Sequence, residues 1–149
     1  MNTKITFSTN EPLAPAHRHT NPNGSEGGWV ADTPHVAPTA YVGVNARVYG
    51  NALVSEYAKV YGNAWVFGDA QVHDNARVFD NAAILANSQI FGYAWVFGCA
   101  CLSDKSKISG YSYVFYRSRT RIDQNVHNQI LTDYNNPIEE LYKRFGNDV

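Results

Sequence analysis

The sequence predicts an all-β fold, with very short strands wound into a parallel, three-sided coil and a short helix near the C-terminus. Three observations predict it. Branched aliphatics recur at every sixth position without a gap, from Val30, Val36 and Val42 to Ile108 and Val114. A small residue stands two places before each from Val42 on, from Ala40 and Ala46 through Ala100 to Ser106 and Ser112, and Ser118 continues the series. Between them fall Gly50, Gly62, Gly68, Gly92, Gly98 and Gly110, and the next site along holds Asn or Asp at 51, 63, 69, 75, 81 and 87.

A period of six fits neither a helix of 3.6 residues per turn nor a flat hairpin sheet, whose turn signals fall about every 8–12 residues. It fits a short strand followed by a sharp corner. Three such units close one coil of 18 residues. Successive coils then stack at about 4.8 Å, the spacing of hydrogen-bonded strands. Residues 29–128 supply five to six coils. The aliphatic and the small residue both point inward and fill a narrow tube. Gly, Asn and Asp tolerate the left-handed backbone of a sharp corner. Thr120 interrupts the aliphatic register, and Val126 resumes it.

A stacked coil leaves unpaired backbone at both ends, so caps are expected. Residues 1–28 are read as the N-terminal cap: a short strand over Lys4–Phe7, then a Pro-, Gly- and Asn-rich loop over 10–28. Residues 129–149 are read as the C-terminal cap. There Asn136 is placed to cap a helix and Pro137 to begin it. Ile138, Leu141, Tyr142 and Phe145 follow at helical spacing, and Gly146 ends it. This helix, 137–145, is expected to cover the last coil or a neighbouring subunit.

The length, 149 residues, predicts one domain. A net charge of −1 gives no drive toward nucleic acid or an anionic membrane. No apolar run approaches the roughly 18 residues that span a bilayer. Met1–Asn10 lacks the apolar stretch of a secretory signal. Cys99 and Cys101 are too close in sequence for an ordinary disulfide, which points to free thiols and a cytoplasmic protein.

With the register known, the outward side chains sort by eighteen. One face carries Tyr61, Phe79, Phe97 and Phe115 in a column, with Lys59, Arg77, Trp95 and Tyr113 alongside. A second carries Tyr49, Phe67 and Leu85, with Arg47, Trp65, Ala83, Cys101 and Arg119 alongside. The third carries Ser55, His73, Phe91 and Ser109. The tube cannot bury outward aromatics, and large contiguous apolar patches mark interfaces. Tyr61, Phe79, Phe97, Phe115, Trp95, Tyr113, Tyr49, Phe67 and Trp65 are therefore expected to serve self-association and a protein partner.

The inner motif, aliphatic-x-x-x-small-x, resembles the hexapeptide-repeat superfamily over about two thirds of the chain. The lead-in Gly27-Gly28-Trp29-Val30 is similar to that of uncharacterised bacterial and phage members labelled acetyltransferase-like. The resemblance implies a left-handed parallel β-helix and a homotrimer with parallel axes. It also implies, for the enzymes of the family, acyl transfer from acyl-CoA with a histidine near a subunit cleft. Here no inserted loop interrupts the repeat between 29 and 118. His73, followed by Asp74, is the candidate base.

The stretch Pro34–Ala40 resembles the start of the γ-class carbonic anhydrases, but the further zinc-binding histidines are missing. His35 and His73 lie two coils apart, roughly 10 Å, too far to share zinc. No metal is expected. His17 and His19 are read as part of a solvated loop. In the last full coil Arg117, Arg119 and Arg121 are candidates to hold an anion. The expected function is a non-catalytic binding or assembly module without a cofactor. The alternatives are an acyltransferase using acetyl-CoA and a nucleotide- or anion-binding protein.

Overall fold

A computed structural model describes residues 3–7, 12–33 and 35–148. Pro34, in the stretch compared with carbonic anhydrases, lies outside them. The chain is a parallel β-solenoid. Each two-residue strand pairs with the strand 18 residues on, as Arg77 with Trp95 and Val78 with Val96. One side of the tube is a sheet of six strands, from His35–Val36 through Leu53–Val54, Gln71–Val72, Gln89–Ile90 and Lys107–Ser109 to Val126–His127. Six strands on one side mean six turns. The other two sides merge into a single sheet because Trp95–Leu102 and Tyr113–Ile122 run around the corner unbroken.

The inward register is as the repeat predicts. Val42, Val60, Val78, Val96 and Val114 are at 0 % exposure, as are Ala58, Ala64, Ala70 and Ala76. The corners are left-handed at one fixed place in each hexad from Gly50 to Gly110, with φ between 56° and 70°. That place is the glycine site, one residue before the Asn or Asp site. Stacking makes the requirement stricter: a Cβ on Gly62 would meet the backbone nitrogen of Asp80, one coil on, at 2.8 Å. Glu56, Asp74, Asp80, Ala86 and Asp104 nevertheless hold this conformation without being glycine. Two of the aspartates offset the strain, because Asp74 accepts the N–H of Gly92 and Asp80 that of Gly98, each at 3.0 Å.

Three expectations for the flanks change. Within 10–28, Ala14–Thr20 is a strand, paired antiparallel with Thr3–Ile5 on one side and Glu26–Ala31 on the other. Glu26–Ala31 opens the solenoid by pairing with Arg47–Val48, and its free edge takes this hairpin. His17 and His19 are consequently not in a solvated loop. His17 pairs with Asp32 at 2.8 Å, and the buried His19 bonds the carbonyl of Ala40 through Nε2 at 2.8 Å. Beside it, Asn21 donates to the carbonyl of Val42 (3.1 Å) and accepts its N–H (2.8 Å).

At Thr120 the pairing shifts by two residues: Gly98 faces Tyr116, but Ala100 faces Thr120. Ile122 thereby comes opposite Leu102 and fills the tube, while Ser118 is exposed rather than inward.

The helix is Pro137–Phe145 as expected, ended by Gly146, whose N–H bonds the carbonyl of Tyr142. Asn136 makes no side-chain capping bond. Acidic Glu139 and Glu140 in the first turn and basic Lys143 and Arg144 in the last complement the helix dipole. The helix lies along the flank of the solenoid and does not close its last coil. Leu141 and Phe145 face inward, while Ile138 and Tyr142 are exposed.

Candidate functional site

The column Tyr61–Phe79–Phe97–Phe115 stacks ring on ring at 4.9, 4.8 and 4.8 Å. Its exposure differs from expectation: Phe79, Phe97 and Phe115 are each only 3 % exposed within a single chain. The flank helix covers them. Phe145 sets its ring edge-on to Phe97 (5.3 Å) and Trp95 (5.0 Å), and Leu141 packs in the same cluster. Arg144 lies over Phe79 and Phe97 and pairs with Asp80, which raises its pKa. Tyr134 closes the Phe115 end at 5.4 Å. At the other end Tyr61 is half-buried, and desolvation pushes its phenol up. The column the sequence offers to a neighbouring subunit is a core in this chain, because the chain brings its own amphipathic helix.

The second column is built alike but covered only at its start. Phe7 stacks on Tyr49 at 4.8 Å, and Tyr49 on Phe67 at 4.8 Å, with Trp65 edge-on to Tyr49 at 6.3 Å. Beyond Tyr49 the face opens into a groove of about 680 Å³, lined by Arg47, Trp65, Phe67, Leu85, Cys101 and Arg119 among others.

On the third face His73 Nδ1 meets Asp74 Oδ1 at 3.0 Å, and the imidazole stacks flat on Phe91 at 5.2 Å. With Nδ1 engaged, Nε2 is the nitrogen left to accept a proton. Asp74 is held below the usual carboxylate range by His73 first and by the Gly92 N–H second. Glu56, one coil earlier at the same corner, joins them, so that one ligand atom from each of the three lies within 4.8 Å of the others. The eighteen-residue register that pairs 56 with 74 is the signal for Glu56, and sequence reasoning missed it.

The three arginines are placed differently. Arg117 donates its backbone N–H and Nη2 to Asp133 (3.0 and 2.8 Å) and lies over Tyr134. Arg121 pairs in register with Cys101 and donates from Nε to Ser103 Oγ at 2.9 Å. Arg119 lines the open groove. Arg117 and Arg121 are thus engaged within the chain, and Arg119 is the one of the three that lines the groove.

The six-residue repeat, the pairing at eighteen and the filled tube define a parallel β-solenoid repeat protein. The family model described as the YdcK beta solenoid repeat matches residues 46–60 and 58–74, which lie within the regular coils. No curated protein and no solved structure matches the chain significantly. Among the described residues no helix is long and apolar enough to cross a membrane.

Proposed function

We propose that the protein is a non-catalytic assembly module that associates with copies of itself through the open half of its second face, around Trp65, Phe67 and Leu85. One observation carries this reading: the helix covers Phe79, Phe97 and Phe115 in the first column, whereas the second is covered only to Tyr49, beyond which Trp65, Phe67 and Leu85 line an open groove together with Arg47, Arg119 and three asparagines. A closed cyclic assembly hides such a face without leaving a sticky end. A homotrimer of left-handed solenoids, and a place among the acetyltransferase-like hexapeptide proteins, is what the repeat resembles. The half-buried free thiols of Cys99 and Cys101 agree with a cytoplasmic setting.

Native mass spectrometry at micromolar concentration tests the reading. The wild type is expected as an oligomer, foremost a trimer, and Phe67→Asp as folded monomers. A wild-type monomer, or an oligomer indifferent to Phe67→Asp, sinks it. The contact between His73 and Asp74 supports a second reading, an acyl-CoA-dependent transferase with His73 as base. Acetyl-CoA turnover that disappears in His73→Ala would put this second reading first.

A further inference from the structure

The corner between the six-stranded side and the helix-covered face differs from the other two. The site that elsewhere holds Asn45, Asn63 and Asn81, or Asn51, Asp69 and Asn87, here holds Tyr57, Asn75, Tyr93 and Tyr111. The three tyrosines are 64, 50 and 67 % exposed. Tyr93 and Tyr111 stack at 5.0 Å with their planes 3° apart. Following the stack toward earlier coils, the next rung is Asn75 and the one after is Tyr57. The ladder therefore lacks one ring. Coils about 4.8 Å apart place Tyr57 and Tyr93 roughly 9.6 Å from each other. That is room for one planar ring at the separation the ladder itself uses.

The gap also has a chemical floor. Asn75 is exposed, and its side-chain amide has no hydrogen-bond partner among the described residues. Lys59 and Arg77 stand two residues further along their strands, roughly 6.5 Å from the corner. Arg77 lies over the ring of Trp95 at 5.1 Å, which holds its guanidinium at the groove wall. The groove, about 530 Å³, is lined by tyrosines, Trp95, Asn75, Lys59 and Arg77, and no carboxylate lines it. The gap spans only two coil spacings, so an occupant must be thin and flat. The two cations call for an anion on the same molecule.

We propose that this groove binds an adenine nucleotide. The base enters between Tyr57 and Tyr93 as the missing rung. The Asn75 amide pairs with adjacent donor and acceptor atoms on the adenine edge, the pairing an asparagine makes best. The phosphate rests on Lys59 and Arg77. The site shares no residue with the face around Trp65, Phe67 and Leu85, nor with Arg117, Arg119 and Arg121, so it stands or falls separately from the assembly reading.

Titration calorimetry of the full chain with AMP, adenosine and inorganic phosphate tests the proposal. AMP is expected to bind with Kd below about 1 mM, adenosine more weakly, and phosphate not detectably. Asn75→Tyr supplies the absent ring and should abolish AMP binding while its thermal melt stays at or above the wild-type value. Tyr93→Ala should weaken AMP about tenfold, as loss of one stacked ring does, and Lys59→Ala should bring AMP down toward adenosine. No AMP binding at millimolar concentration overturns the proposal. So does binding undiminished in Asn75→Tyr, and so does phosphate alone binding as tightly as AMP.

Discussion

Rings in the column Tyr61–Phe79–Phe97–Phe115 and rings in the column Tyr49–Phe67 stack at nearly the same separation, 4.8 to 4.9 Å. The first column is closed to water by the helix Pro137–Phe145. The second is closed at Tyr49 by Phe7 and left open at Phe67 and Leu85. Both arise from the same repeat, so the repeat does not decide whether an aromatic ladder becomes core or surface. The segments outside the repeat decide it. The corners beside the two columns differ in the same sense. Next to Phe79, the left-handed Asp80 bonds the Gly98 N–H and Arg144. Next to Leu85, the left-handed Ala86 has no side-chain polar group with which to offset its strain.

Charging each column in turn gives the largest effect. Phe97→Asp puts a carboxylate beneath the helix and should lower stability by at least about 3 kcal/mol, the cost of emptying a buried aromatic site and adding an unpaired charge. Phe67→Asp should cost about 1 kcal/mol, mainly its stacking on Tyr49. Urea melts of the two variants, at a concentration low enough that both are monomeric, read the difference, and equal losses would erase the distinction between the columns. A middle-sized effect comes from making the first corner like the second. Asp80→Ala keeps the backbone strain and removes both partners, for an expected loss of about 1–2 kcal/mol. The smallest runs the other way. Ala86→Gly relieves a left-handed residue and should raise stability by about 0.5–1 kcal/mol. A decrease in its thermal melt would show that the Ala86 methyl makes a contact worth more than the strain.

The inner register was legible because it is written at every sixth residue and tolerates no slip: a one-place error would turn Val78 outward and Arg77 into the tube. The helix was legible from Pro137, Leu141 and Phe145, but its place was not. Helical spacing shows which face is apolar, not which of several apolar partners receives it. The bulge at 117–119 appears in the sequence only as Thr120 on an aliphatic site. That Ile122 takes over the inward role follows from pairing with Leu102, a contact twenty residues away. The strand Ala14–Thr20 was hidden by Pro15, His17 and Arg18, polar or breaking residues unusual in a strand paired on both sides, where Pro15 is tolerated near its start. As for the open groove, Trp65, Phe67 and Leu85 were named from the eighteen-residue sort. The tyrosines at the corner were missed because that sort stopped at the residues flanking each aliphatic.

The hydrogen bonds of Asn21 have a consequence for length. In a stacked coil every strand is a template for the next, as a growing polymer end is for its monomer, and nothing in the repeat itself states how many coils there should be. Asn21 takes both backbone groups of Val42, and His19 takes the carbonyl of Ala40. These two side chains occupy the places where another coil's backbone would bond, as a chain terminator does in polymerisation. At this end the solenoid is finite because side chains fill the growth site.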